Sequence, residues 1–170
     1  MTGIVAIIGA ECTGKSTLAV ALARELGGAV VSEHLRSFVQ EHGRVPTAAE
    51  QPAVMAEQIA AERRAAAGSD WVVSDSGAIM TAVYSRIYYG DDSLIAAAAE
   101  HHRSAYLLTL WCDVDLPWVP DPGQRDGPES RAAGHEAIRA LLAAEPFPAA
   151  RVSGTPAQRL RAALGLLGAA

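Results

Sequence analysis

Ile4-Val5-Ala6-Ile7-Ile8 is an unbroken apolar run, and Gly9-Ala10-Glu11-Cys12-Thr13-Gly14-Lys15-Ser16 follows it directly. No other stretch of this chain constrains its fold as tightly. Short apolar runs of this kind form buried strands, and the eight residues after it fit G-x-x-x-x-G-K-[ST] at every position. With strand, glycine-rich loop and helix start in that order, loop amides and a helix N-terminus converge on one point and form a site for phosphate. Lys15 is the only lysine in the chain, so arginine supplies the rest of its 14 basic residues. The one compact ammonium thus stands where a three-donor point charge meets β- and γ-phosphates, a task that a planar guanidinium performs differently. Gly9, Ala10, Glu11, Cys12, Thr13, Gly14, Lys15, Ser16 and Thr17 are therefore expected to bind ATP, with Cys12 as a loop filler that offers its backbone amide.

Strand and helix patterns alternate along the rest of the sequence. Strands are expected at 4–8, 29–32, 71–75, 106–111 and 150–153, and helices at about 15–26, 34–42, 77–88, 93–103, 131–144 and 155–167. Thr47 and Glu50 read as a capping box for a further helix reaching about 67, with Pro52 in its first turn. Residues 113–130 hold four prolines among Asp and Gly and read as a long functional loop, a lid spanning about 113–131. This alternation predicts an α/β P-loop NTPase fold of one domain over residues 1–170, a five-stranded parallel sheet with helices on both faces. Ligands of such sheets lie beyond the carboxyl ends of the strands. Those ends carry Gly9, Glu33, Asp75 and Asp113.

The net charge of −5 and the absence of any basic cluster beyond Arg63-Arg64 argue against a nucleic-acid surface. No apolar run approaches the ~20 residues that cross a bilayer, and the first strand pattern begins directly after Met1-Thr2-Gly3. A complete soluble protein without signal peptide or membrane contact is the expectation. Cys12 and Cys112 are far apart with no other thiol, which fits a reduced, cytoplasmic setting. The five histidines have no metal-ligand spacing with one another or with the cysteines. Nothing in the sequence speaks to the oligomeric state.

Among P-loop classes, a GTPase needs Asn-Lys-x-Asp for guanine, and no second lysine exists. An AAA-type motor needs an acidic pair closing its third strand, a helical lid domain and more length, and here Ser76 follows Asp75. A small-molecule kinase is left, whose reaction asks mainly for positioning and charge neutralisation. Ser16 and Asp75 are candidate Mg²⁺ ligands, although Asp75 would also suit a helix N-cap. Glu33 is the candidate base for the acceptor hydroxyl, or else a partner of Arg36. Arg125 and Arg131 flank Asp126-Gly127-Pro128 and are candidates for the transferring phosphoryl. Arg36, Tyr84, Trp118 and Asp121 are candidates for holding the acceptor, Trp118 by stacking on a flat ring.

Gly9–Thr17, Ser32-Glu33-x-x-Arg36, Ser74-Asp75 and Pro117-Trp118-Val119-Pro120-Asp121 with Arg125-Asp126 together resemble the ribosylnicotinamide kinase domain of bifunctional NAD-biosynthesis proteins. The likeness runs over nearly the whole chain, and its most specific part is the P-W-V-x-D…R-D segment. The resemblance implies phosphorylation of the 5′-hydroxyl of nicotinamide riboside by ATP and Mg²⁺, with Trp118 near the nicotinamide and Arg125 in the lid. His34 replaces the family's aromatic residue after the glutamate, Pro122-Gly123 lengthens the loop, and the adenylyltransferase domain has no counterpart in these residues. The same fold also serves shikimate-type, gluconate-type and nucleoside monophosphate kinases, and non-enzymatic ATP-binding modules.

Overall fold

Val5, Ala6, Ile7 and Ile8 have no exposed surface, as an apolar run flanked by strands at both edges and helices on both faces requires. The computed structural model describes residues 2–119 and 127–168. β1 (Gly3–Ile8), β2 (Ala29–Val31), β3 (Trp71–Asp75), β4 (Leu108–Cys112) and β5 (Ala149–Val152) form one parallel sheet in the order β2-β3-β1-β4-β5. β1 is central, with Ile7 opposite Asp75 on one side and Leu110 on the other.

The strand period of two sends alternate residues to separate cores. Val5 and Ile7 pack with Val73, Leu110 and Val152 under α1 (Lys15–Leu26) and α7 (Pro156–Gly168). Ile8 faces the opposite layer, where residues of α3 (Gln51–Ala66), α4 (Gly77–Tyr89), α5 (Ile95–Ala105) and α6 (Pro128–Ala144) meet. The short α2 (His34–His42) follows β2 and buries no residue fully. The chain thus has the expected five parallel strands with helices on both faces.

Element limits differ from the sequence reading where local chemistry was misjudged. The Thr47–Glu50 capping box is present, but it opens a 3-10 turn at Ala48–Glu50 that leads into α3, with Pro52 in the first turn of that helix. β4 starts at Leu108, because Tyr106 lies just outside the ladder with its ring buried. α6 starts at Pro128, so the expected lid loop is shorter than 113–131. Proline at a first helical position loses no needed N–H and has φ preset; Pro128 therefore marks a helix start. None of the helices described is long and apolar enough to cross a membrane.

Candidate active site

β1 ends in a loop whose two glycines have specific steric reasons. A Cβ on Gly9 would lie 2.8 Å from Thr13 Oγ1 and 3.1 Å from the Cys112 carbonyl. Gly14 sits at φ 79 as the N-cap of α1, a left-handed conformation that costs glycine nothing. Cys12 and Ser76 adopt the same region without being glycine, at φ 55 and φ 80. Such residues persist where surroundings over-determine them, and they cluster at functional sites. The Ser76 N–H donates to the Ile7 carbonyl at 2.9 Å, tying the end of β3 to β1.

Lys15 is buried, and its ammonium donates to the Ala10 carbonyl at 3.0 Å. Ala10 O also accepts from Thr13 Oγ1 at 2.7 Å. The loop is therefore curled around the lysine before any phosphate enters. Ser16 and Thr17 are exposed at the mouth.

A cavity of about 560 Å³ opens above this loop, within the range of small-molecule sites. Residues 10–17 line it together with Glu33, Leu35, Arg36, Val39 and Val45, with Tyr84, Ile87 and Tyr88 of α4, and with Ser130 and Gly134 of α6. Tyr84 and Tyr88 stack with ring centroids 6.2 Å apart. Glu33 is the N-cap of α2, yet its side chain bonds none of the helix amides; it borders the cavity with the Ser76 side chain beside its carboxyl. Burial pushes its pKa above the usual carboxylate range, while the Lys15 ammonium pulls the other way. A carboxyl shifted upward and placed in a cleft has the character of a general base. Arg36 bears on Glu33 through its charge and itself lines the cavity.

Asp75 closes β3 and is buried, and its Oδ1 has no hydrogen-bond partner among the described residues. It does not cap α4, whose N-cap is Ser76 without a side-chain cap bond. An orphaned buried carboxylate oxygen is costly and fits a cation. Among the described residues, no group of three or more His, Cys, Asp or Glu could hold a metal. Mg²⁺ needs less protein, since it keeps waters and takes one or two protein ligands besides substrate phosphates. Ser16 and Asp75 fit that pattern and would hold it.

Other expected residues are placed differently. Arg131 lies in the first turn of α6, outside the loop, where Nη1 donates to the Leu116 carbonyl at 2.8 Å. It is a fixed strut between α6 and the segment after β4, because the helix begins earlier than expected. Trp118 is half-buried and does not line the cavity. Its neighbours dock on the phosphate loop at Cys12, which lines the cavity: the Val119 N–H donates to Cys12 Sγ at 3.2 Å, and the thiol faces the Pro117 and Val119 carbonyls at 3.7 Å. Cys12 is therefore a docking point for the 117–119 segment and more than a filler. Asp121 and Arg125, with Pro122-Gly123 and Asp126, lie outside the described residues.

One residue that the sequence did not single out binds the site together. Arg159 of α7 is 1% exposed. It donates to the Thr13 carbonyl at 2.6 Å, the Gly154 carbonyl at 2.9 Å and the Asp113 carbonyl at 3.2 Å, and it pairs with Asp115. One guanidinium thus clamps the phosphate loop, the segment after β4 and the turn after β5, a geometry that only a planar fork provides. Breaking a buried pair from one side costs ~3–5 kcal/mol, and Asp115 is partly solvated, so Arg159→Met is expected to destabilise by about 3 kcal/mol. Thermal denaturation checks this. A nucleotide titration of the same variant should show weaker binding, and unchanged affinity would mean that the clamp does not shape the loop.

A family model described as an AAA domain matches residues 4–159. The chain belongs to that family. Its β3 ends in Asp75 and Ser76 follows, so the acidic pair used by motors is missing from a chain that carries the family's P-loop domain. The solved structure of NadR protein with NAD and AMP-PNP superposes at a TM-score of 0.78 with 20% identity, over 99% of this chain and 50% of that one. NadR in complex with NR gives 0.79 at 20% identity, over 99% and 49%. The chain therefore spans about half the length of the NadR chains it matches. Deoxyadenosine kinase from M. mycoides with dCMP and dCDP bound gives 0.69 at 11% identity, over 98% of this chain and 100% of that one. The fold is that of P-loop nucleoside and nucleotide kinases. Among curated protein sequences none matches this chain.

Proposed function

We propose that the chain is an ATP-dependent nucleoside kinase that phosphorylates the 5′-hydroxyl of nicotinamide riboside. The observation that carries this is the continuity of one cavity from phosphate loop to aromatic wall, with Glu33 in its lining. Residues 9–17 cradle the β- and γ-phosphates by their amides and by Lys15, which leaves the Ala10 carbonyl for phosphate oxygen. Ser16 and Asp75 would hold Mg²⁺, which when bound would neutralise charge on the phosphates. Glu33 orients the acceptor hydroxyl and takes its proton as the bond to phosphorus forms. Arg125 is assigned to the transferring phosphoryl by its motif alone, and Asp121 likewise to the ribose.

The charge balance of the cavity supports this acceptor over an anionic one. Of the three arginines near the acceptor end, Arg44 is paired with Glu50 at 2.8 Å and Arg86 with Asp92 at 2.5 Å. Arg36 alone of these lines the cavity. A monophosphate or a shikimate carboxylate would meet one guanidinium and a wall of Leu35, Val39, Val45, Ile87 and two tyrosines. A cationic pyridinium suits that wall, and NadR, with which this chain shares its fold, has been solved with NR.

Because the aromatic faces in the cavity belong to Tyr84 and Tyr88, ring recognition is assigned to them. A cation–π contact contributes ~0.5–2 kcal/mol, so Tyr84→Ala is expected to raise the acceptor KM about 2- to 30-fold at near-constant kcat. Trp118→Ala should change it less; the reverse order would return ring recognition to the indole. The activity itself is tested by ATP consumption with nicotinamide riboside, other nucleosides, shikimate and gluconate side by side. Turnover confined to a non-nucleoside alcohol would refute the nucleoside reading. ATP binding without turnover on any acceptor would favour a regulatory module.

A further inference from the structure

α3 turns an unusual face to the protein interior. Its buried positions are Gln51, Val54, Met55, Gln58 and Glu62, so three of five are polar in a region where polar groups need full pairing. Gln58 and Glu62 are one helical turn apart and share a face. The backbone N–H of His34 donates to Gln58 Oε1 at 2.7 Å. That donor fixes the amide orientation, since only the oxygen can accept. Gln58 Nε2 then donates to Ser74 Oγ at 3.1 Å, and the Ser74 hydroxyl, having accepted, donates to Glu62 Oε1 at 2.5 Å. Glu62 is held in turn by the Tyr106 hydroxyl at 2.9 Å and by His101 Nε2 at 3.1 Å.

The two ends of this chain are the informative part. His34 directly follows Glu33, and Ser74 directly precedes Asp75. Both are backbone neighbours of the carboxyls that border the cavity or back it, and both are tied to one side chain on a third element. β2 is only three residues long and α2 buries no residue fully, so packing alone fixes the position of Glu33 weakly.

We infer that Gln58, oriented by Ser74 and Glu62, is a positioning residue that sets the distance between Glu33, which borders the cavity, and Asp75, buried at the end of β3. The inference rests on the kinase reading of the site, in which a misplacement at the scale of an ångström lowers rate more than binding. A helix that only filled space would place leucine or methionine at 58, whereas this one places a directional strut between two strand ends.

The experiment compares Gln58→Met, which keeps the volume and removes both hydrogen bonds, with Gln58→Glu, which keeps an acceptor for the His34 N–H. Amide hydrogen exchange of the free protein is read by NMR at His34, with the amides of α1 as internal reference. Steady-state kinetics with ATP and the acceptor are measured in parallel. Gln58→Met is expected to speed His34 exchange by about tenfold, the scale of one net hydrogen bond, with α1 unchanged. Its kcat should fall about tenfold while the KM for ATP stays constant, and Gln58→Glu, which keeps the acceptor for His34 but loses the donor to Ser74, should recover part of the protection at His34 and part of kcat. Unchanged His34 exchange in Gln58→Met would overturn the inference. Equal loss of kcat in both variants, or a change confined to the KM for ATP, would do the same. If Gln58→Met fails to fold, Ser74→Ala, which removes the amide's acceptor but spares Gln58, must raise His34 exchange for the inference to stand. An inactive wild-type protein would remove the proposed reaction but leave the exchange measurement to decide the strut.

Discussion

Lys15→Ala is expected to abolish measurable phosphoryl transfer while leaving the fold in place. Losing a single neutral oxyanion donor costs about 10²–10³ in rate elsewhere, and Lys15 brings a full charge, so a loss of about 10³-fold or more is the expected result. The fold survives because the Ala10 carbonyl, which accepts from Lys15, keeps its bond from Thr13 Oγ1 at 2.7 Å. Lys15→Arg should not restore activity, since the buried niche beside Ala10 holds a point charge and not a planar fork. Turnover with saturating acceptor and a circular-dichroism melt are the paired measurements. Wild-type turnover in Lys15→Ala would sink the assignment of residues 9–17 to nucleotide phosphates.

Glu33→Gln carries the second large effect, a fall in kcat of about 10²–10⁴ if the carboxylate is the base. Its pH behaviour has a definite sign. Burial raises the folded-state pKa of Glu33 above the ordinary value of 4.5. Protonation therefore favours the folded state, and the stability so gained is present below the ordinary pKa and lost as pH rises through the folded one. At neutral pH the charged carboxylate costs stability, so Glu33→Gln should melt higher than wild type there and no higher at pH 4. Activity runs the other way, falling in wild type as pH drops through the raised pKa. A glutamine variant that is as active as wild type would remove Glu33 from the chemistry, and one that melts lower at neutral pH would contradict the upward shift of its pKa.

The sequence carried the strand ends well because chain-local chemistry decides them. Gly9, Glu33 and Asp75 stand where apolar runs stop, and the limits of α1 and α2 follow from their glycine stops. The failures share a different cause. Pro128 was read as loop punctuation when its position at a helix start is equally natural. The flat ring of Trp118 suggests either stacking or a loop anchor, and the contacts of Val119 and Pro117 with Cys12, more than a hundred residues away, which fix where that segment sits, have no local signal. Arg159 reaches Thr13 over 146 residues, and no periodicity on α7 distinguishes a buried guanidinium from a surface one. Gln58 and Glu62 look in sequence like the solvated side of a helix; only the fold reveals that this side faces strand ends.

The Arg159 clamp has a consequence for biosynthesis. Arg159 stands 146 residues after Thr13, so the phosphate loop is translated well before its brace. Thr13, Asp113 and Gly154 can be gathered by one guanidinium only after α7 has left the ribosome and docked beside α1. Nascent chains that stop short of α7 should therefore hold nucleotide poorly even where β1, β3 and β4 are already paired, so that ATP competence arrives as a late, all-at-once event in the life of each molecule.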